Sequence, residues 1–94
     1  MGSNAIVTFE VSPESPESNF EEIQKQAEAI AKEHGAKGDM VSKIEPLAFG
    51  LKKVIVMAMY EMNDDTDFDS ISGAMAKIEG VSNAQVAKMD LAMG

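Results

Sequence analysis

The feature that most constrains the fold is an apolar run at residues 54–62, VIVMAMYEM. It begins with three β-branched residues, which are favoured in strands. Apolar residues occupy both faces of the strand that it predicts, and this is typical of a strand in the middle of a sheet. We therefore expect a central strand here, with a neighbour on each side.

Three other segments alternate with a period of two residues and predict further strands. They are residues 5–11, 39–45 and 81–91. In the last strand, from Gln85 onward, the alternation predicts two opposite sets of side chains. One face would carry Ala87, Met89 and Leu91, and the other would carry Val86, Lys88 and Asp90.

Two segments have the periodicity of an amphipathic helix. The first is 19–34, for which either Ser18 or Asn19 supplies a capping residue and Gly35 supplies the stop. The chain's single histidine, His34, falls in its last turn, which favours a capping role over a catalytic one.

The second helix is predicted over 67–79, with Thr66 and Asp69 as its cap and Gly80 as its stop. The element order is then βαββαβ. Two amphipathic helices need one face of a sheet to cover their apolar stripes. We expect an α+β, ferredoxin-like sandwich in which two helices lie on one face of a four-stranded antiparallel sheet. Residues 1–94 fit a single domain.

Composition excludes several classes of function. The chain has no cysteine and no arginine, and its net charge is −8. Thiolate metal sites and cysteine nucleophiles are therefore ruled out. Direct binding of nucleic acid or of an anionic membrane is disfavoured, because both depend on basic residues. No segment is long and apolar enough to span a bilayer, and we expect a cytoplasmic location.

An acidic stretch before the second helix invites a metal hypothesis. Asp65, Asp67 and Asp69 copy the opening of a calcium-binding loop. The copy fails at Ser70, where glycine is needed, and at Ala76, where a bidentate glutamate is needed. We interpret these carboxylates as a helix N-terminus, and we expect neither a metal nor a cofactor.

The chain shows no phosphate-binding loop and no catalytic triad. The pair Lys52 and Lys53 follows a loop containing Phe49 and Gly50, and that loop has two readings. Either the loop is an ordinary turn, or it presents Phe49 as an exposed anchor for a partner. The class of function that remains is a binding or regulatory module without a catalytic group.

Three segments together identify a family. Residues 45–56, EPLAFGLKKVIV, closely resemble the signature of the nucleotide-exchange domain of translation elongation factor 1 beta. Residues 7–13, VTFEVSP, and 81–90, VSNAQVAKMD, are similar to further segments of that domain in the same order. The resemblance covers about residues 5–92 and looks like the stand-alone archaeal form.

The resemblance implies guanine-nucleotide exchange on elongation factor 1 alpha, the GTPase that carries aminoacyl-tRNA. Such a factor acts by binding and performs no covalent chemistry. It needs no cofactor, touches no nucleic acid directly, and is expected to be a monomer when free.

The resemblance also implies which residues contact the GTPase. Phe49 matches the aromatic contact of the family, and Ala48 replaces the glycine that precedes it in eukaryotic members. Leu91 stands where eukaryotic members carry a lysine that reaches the magnesium site. The expected partner-binding residues are Pro46, Ala48, Phe49, Gly50, Ser82, Asn83, Met89, Asp90 and Leu91.

An alternative of a different class stays open. The chain would then be a small ligand-sensing or oligomer-forming ferredoxin-like module, with the apolar strand 54–62 buried between subunits. Gel filtration separates the two, because a monomer favours the exchange factor and an obligate dimer favours the alternative.

Overall fold

The computed structural model describes residues 4–15, 17–47, 50–61 and 67–92. Within them the elements follow the predicted order βαββαβ. Their bounds are Asn4–Pro13 for β1, Phe20–Glu33 for α1, Lys37–Pro46 for β2, Lys52–Glu61 for β3, Phe68–Ala76 for α2 and Val81–Ala92 for β4.

The described strands form one antiparallel sheet in the order β2-β3-β1-β4. The apolar run predicted to be central is β3, which pairs with β2 on one side and with β1 on the other. Both helices pack on one face of the sheet, with α1 over β2 and β3 and α2 over β1 and β4. The predicted α+β sandwich is therefore confirmed.

The core lies between the helices and the alternate residues of the two central strands. Those residues are buried because strand side chains point to opposite faces in turn. The strand side contributes Ala5, Val7, Phe9, Val11, Val54, Val56, Ala58 and Tyr60. The helix side contributes Ile23, Ala27, Ala31, Ile71 and Met75.

Tyr60 is the polar group at the centre of this core. Its ring makes edge-to-face contacts with Phe9 and Phe68, with centroids 6.3 and 5.4 Å away. Its hydroxyl donates a 2.9 Å hydrogen bond to the carbonyl oxygen of Ala31 in α1. Burial raises the pKa of Tyr60 to about 12, because the charged phenolate would lose its hydration.

The ends of α1 follow the capping chemistry of the sequence. Asn19 is the cap, since its side chain accepts a 3.1 Å hydrogen bond from the backbone N–H of Glu22. Ser18 instead donates its hydroxyl to the carbonyl of Gly80, 3.4 Å away. At the other end His34 is the C-cap residue, as predicted.

The cap and the length of α2 differ from the sequence prediction. Asp67 is the cap, and its carboxylate accepts hydrogen bonds from the backbone N–H groups of Asp69 and Ser70. The helix ends at Ala76, because the chain then tightens into bonds that span three residues, one of them from the N–H of Ile78 to the carbonyl of Met75. The proposed cap Thr66 lies outside the described residues, as does part of the acidic stretch.

The predicted alternation of β4 is wrong at Ala87. Phe9 of β1 pairs with Val86, and the preceding Thr8 pairs with Lys88, so Ala87 is an extra residue in a bulge. The bulge shifts the parity of the strand. Val86 and Met89 therefore share the helix-covered face, although the sequence pattern set them on opposite faces.

Among the residues that the structure describes, neither helix has the length and the apolar composition needed to cross a bilayer.

Candidate partner-binding site

The predicted contact residues lie at the two opposite ends of the sheet. Pro46 pairs with Lys52 at the end where β2 meets β3. Asn83 lies at the same end, because it pairs with Ser12 near the end of β1. Ala48 and Phe49 are outside the described residues.

The C-terminal candidates are at the far end of β4. Met89, Asp90 and Leu91 pair with Val7, Ile6 and Ala5, respectively. Their partners Ser12 and Ile6 are six positions apart on β1, which corresponds to about 20 Å along a strand. The described candidates therefore do not form one compact site, and a partner that touches all of them must span the sheet.

The loop between β2 and β3 presents apolar side chains that the sequence analysis did not select. The N–H of Leu47 donates a 2.7 Å hydrogen bond to the carbonyl of Leu51, which holds the two ends of the loop together. Leu47 and Leu51 are 44% and 42% exposed. Gly50 has a φ of +76°, a left-handed conformation that favours glycine. The two leucines on either side of this loop are visible in the sequence, and they could have indicated exposed apolar side chains here.

At the start of β4, Ser82 has a structural role. Its hydroxyl donates a 3.1 Å hydrogen bond to the carbonyl of Ser12 and also lies 3.4 Å from that of Pro13. Ser82 sits where the pairing register shifts, so this bond ties the irregular strand start to β1. The neighbouring Asn83 is exposed and paired with Ser12.

At the far end of β4, two consecutive candidates point to opposite sides of the sheet. Met89 is level with the core residue Val7 on the helix-covered side, yet it is 43% exposed. Asp90 is level with Ile6 on the other side. Leu91 is level with Ala5. The uncovered side of the sheet is called the open face below.

The open face has an apolar centre within a shallow groove of about 570 Å³. The groove is lined by Ile6, Ile55 and Met57 in its middle and by charged residues that include Lys53 and Asp90. Ile6 is 36% exposed, whereas Ile55 is buried. This combination of apolar centre and charged rim is also the anatomy of a protein–protein interface.

Charged residues on the open face are arranged in ion pairs. The structure describes pairs between Lys37 and Glu61 at 2.9 Å, Lys43 and Glu45 at 3.8 Å, Lys53 and Glu10 at 3.3 Å, and Lys88 and Asp90 at 3.5 Å. The strand pairing places all eight of these residues on the open face. The hydrogen bond and the charge of Lys37 lower the pKa of Glu61.

The residues outside these pairs carry the net charge of the chain. Four of its eight lysines and four of its sixteen carboxylates are used, so the net charge of −8 belongs entirely to the other residues. Among the described side chains, the paired charges of the open face cancel, and the other residues of the chain are acidic overall.

The acidic residues at the start of α2 serve the helix. The hydroxyl and the backbone N–H of Ser70 both donate to the carboxylate of Asp67, and these bonds lower its pKa. Within the described segments, no three histidine, aspartate or glutamate side chains are close enough together to hold a metal ion.

Comparison with known proteins identifies the family. A family model described as the EF-1 guanine nucleotide exchange domain matches residues 6–91. The chain belongs to the EF-1 guanine nucleotide exchange domain family.

Proteins named elongation factor 1-beta are similar over nearly the full length. That of Methanococcus vannielii is 33% identical over 89 residues, which is 95% of this chain and 98% of the relative. That of Methanosphaerula palustris is 33% identical over 93 residues, covering 97% and 99% of the two chains. That of Sulfurisphaera tokodaii is 33% identical over 85 residues, covering 89% and 90%.

The exchange-domain match contains both ends of the sheet. It runs from Ile6, on the open face, to Leu91, near the end of β4. All nine predicted contact residues fall within it, and so do Leu47 and Leu51.

Proposed function

We propose that this chain is a guanine-nucleotide exchange factor that promotes replacement of GDP by GTP on elongation factor 1 alpha. The family match over residues 6–91 supports this most strongly. The proposal includes a cytoplasmic monomer that acts as a single exchange domain, with no cofactor and no direct contact with nucleic acid or membrane.

The proposed mechanism is a thermodynamic coupling and involves no covalent step. The factor binds the nucleotide-free GTPase more tightly than the GDP form. By linkage, its binding weakens the affinity for GDP by the same factor. Release of GDP becomes faster, and GTP then fills the empty site because it is supplied in excess.

The two-ended arrangement of the candidate residues suits this mechanism. One end of the sheet carries the loop with Leu47 and Leu51, and the other end carries Asp90, about 20 Å from Asn83 along the sheet. A GTPase held at both ends is constrained in orientation. Binding energy gained at one end is then available to distort the nucleotide site at the other.

In this proposal, side chains that insert into the GTPase as a wedge distort its nucleotide site, and a lysine does not. Leu91 stands where eukaryotic members carry a lysine, and a leucine supplies no ammonium group for the magnesium site. Lys88 is already paired with Asp90 at 3.5 Å on the open face. The wedge would be formed by Phe49 and the C-terminal strand.

The test is release of a fluorescent GDP analogue from archaeal elongation factor 1 alpha at fixed magnesium. The chain is expected to accelerate release in a saturable manner. Phe49→Ala is expected to lower the acceleration at least tenfold. Phe20→Ala is the matched control, since it removes the same side chain at a half-buried position on α1, where the ring lies 5.6 Å from Nζ of Lys52.

Each outcome has a distinct meaning. No acceleration by the unmodified chain, with no detectable binding, would reject the exchange function and favour the ligand-sensing or oligomer-forming module. Normal acceleration by Phe49→Ala would reject the wedge and leave the exchange function in place.

A further inference from the structure

We propose that the bulge at Ala87 is a positioning device for nucleotide exchange, because it bends β4 and so sets the direction of the strand end beyond it. This inference rests on the proposed exchange function, and it concerns a residue that was not among the predicted contacts. The bulge divides β4 into two parts. Residues 81–86 are called the anchored segment below, and residues 88–92 are called the end segment.

The first argument is that the surplus residues belong to β4. This strand has 12 residues, and it pairs from end to end with the 10 residues of β1. The register shifts twice, between Thr8 and Phe9 and between Ser12 and Pro13. Within the described residues, β1 pairs with β3 in unbroken register over eight consecutive positions. β1 is therefore regular there, and β4 carries the extra residues.

The second argument is the place of β4 in the sheet. The strand order β2-β3-β1-β4 makes it an edge strand of the described sheet. A bulge bends the strand that carries it and increases the local twist, and in an edge strand it interrupts one ladder only. β4 can therefore bend at Ala87 while the pairing of β1 with β3 stays intact.

The third argument is the difference between the two segments of β4. In the anchored segment, Val81 is buried in the core, and Ala84 and Val86 pack against it. From the bulge onward, residues 87–90 are all exposed, and Met89 is 43% exposed although it lies on the helix-covered side. The core thus holds the anchored segment in place, whereas the course of the end segment depends on its ladder with β1 and on the bend.

The bulge is separable from the rest of the strand, because every other pair can persist without Ala87. Val86 pairs with Phe9 and Lys88 pairs with Thr8, and these partners are neighbours on β1. If Ala87 were deleted, the two β4 residues would also be neighbours, and the ladder would continue without a shift. The end segment would keep its partners and its faces and would lose the bend. Since Ala87 is exposed, its deletion leaves no cavity in the core.

The direction of the end segment matters because exchange requires more than contact. In the proposed mechanism this segment forms part of the wedge that distorts the nucleotide site of the GTPase. Its direction then governs how far the affinity for GDP falls, whereas contacts elsewhere support binding of the GTPase in either case. Loss of the bend should therefore lower the maximal acceleration of GDP release more than it lowers the affinity for the GTPase.

The experiment compares the unmodified chain, a variant that lacks Ala87, and Ala87→Gly in the GDP-release assay with archaeal elongation factor 1 alpha. Each factor is titrated. The deletion is expected to lower the maximal acceleration by about tenfold or more, while the concentration for half-maximal acceleration changes less than about threefold. Ala87→Gly removes the methyl group and keeps the extra residue, and glycine is accommodated at bulges. It is expected to change the maximal acceleration less than about twofold.

Urea unfolding shows whether the deletion variant folds, and NMR contacts between residues 8 and 88 and between 7 and 89 show whether it keeps the ladder. A variant that does not fold would assign the bulge to the fold and overturn the inference. A folded deletion variant that accelerates release like the unmodified chain would also overturn it, although the exchange function would stand.

Three other outcomes would contradict the inference. Equal losses in the deletion variant and in Ala87→Gly would assign the effect to the methyl group and not to the bend. A raised half-maximal concentration with an unchanged maximum would make the bulge a part of the binding surface only. If the unmodified chain neither binds the GTPase nor accelerates release, the exchange function fails and this inference fails with it.

Discussion

The two faces of the sheet use the same strands for different purposes. On the helix-covered face, Val7, Phe9 and Val56 are fully buried in an apolar core. On the open face, Glu10 and Lys53 make an ion pair in contact with water, although Glu10 follows Phe9 directly in the chain. Alternate residues of one strand thus contribute unequally to stability, and neighbouring substitutions should show the difference.

The largest expected effect comes from breaking the covered face. Phe9→Ala should lower the free energy of unfolding by about 3–5 kcal/mol, because it leaves a cavity beside Tyr60. Thr8→Ala, one position earlier on the open face, should cost less than about 1 kcal/mol. Urea denaturation of the two variants measures both. Similar losses at the two positions would mean that the faces do not differ in the way described.

A second prediction uses the buried hydroxyl of the covered face. The pKa of Tyr60 is raised from 10.0 to about 12, so the folded chain keeps a proton that the unfolded chain releases. The contribution is fully present below pH 10 and is lost as the pH rises toward 12. The free energy of unfolding should fall there by at most about 1.4 kcal/mol per pH unit.

Tyr60→Phe is the control for this titration. It removes the hydrogen bond to Ala31 and should cost about 1 kcal/mol at neutral pH. Since lysines also titrate in this range, the difference between the two proteins is the quantity to measure. A constant difference from pH 9 to pH 12 would contradict the assignment to Tyr60.

The smallest expected effect comes from the open face. Lys53→Gln removes the partner of Glu10, 3.3 Å away, at a position where both side chains are only partly exposed. The cost should be under about 1 kcal/mol and should shrink in high salt. Lys88→Gln, which breaks the more exposed pair with Asp90, should cost less still. Unfolding at low and high salt compares the two, and a larger loss at Lys88 would reverse the expected ranking.

Much of the fold could be predicted because its elements have clear periods. The run at 54–62 predicted the central strand, and the alternation of residues 5–11 predicted β1. Local irregularities could not be predicted in the same way. The bulge at Ala87 depends on how β4 pairs with β1, and a strand's own sequence does not state its register.

The candidate site was predicted less completely than the fold. The loop after Pro46 was found from its resemblance to a family, but its two exposed leucines were not selected. Pairs such as Lys88 and Asp90 are visible two residues apart in the chain, whereas Lys53 and Glu10 meet only through the pairing of β3 with β1. The matching of these charges across strands follows from that pairing, so it required the structure.

The most direct test of the central claim observes both faces of the sheet in one experiment. Methionine methyl groups report on each face, because Met57 and Met59 lie on the open face and Met75 is buried between α2 and the sheet. The measurement is the broadening of the methionine methyl NMR signals by a soluble paramagnetic agent. We predict that the signals of Met57 and Met59 are broadened more than that of Met75. Equal broadening of the three signals would contradict the account.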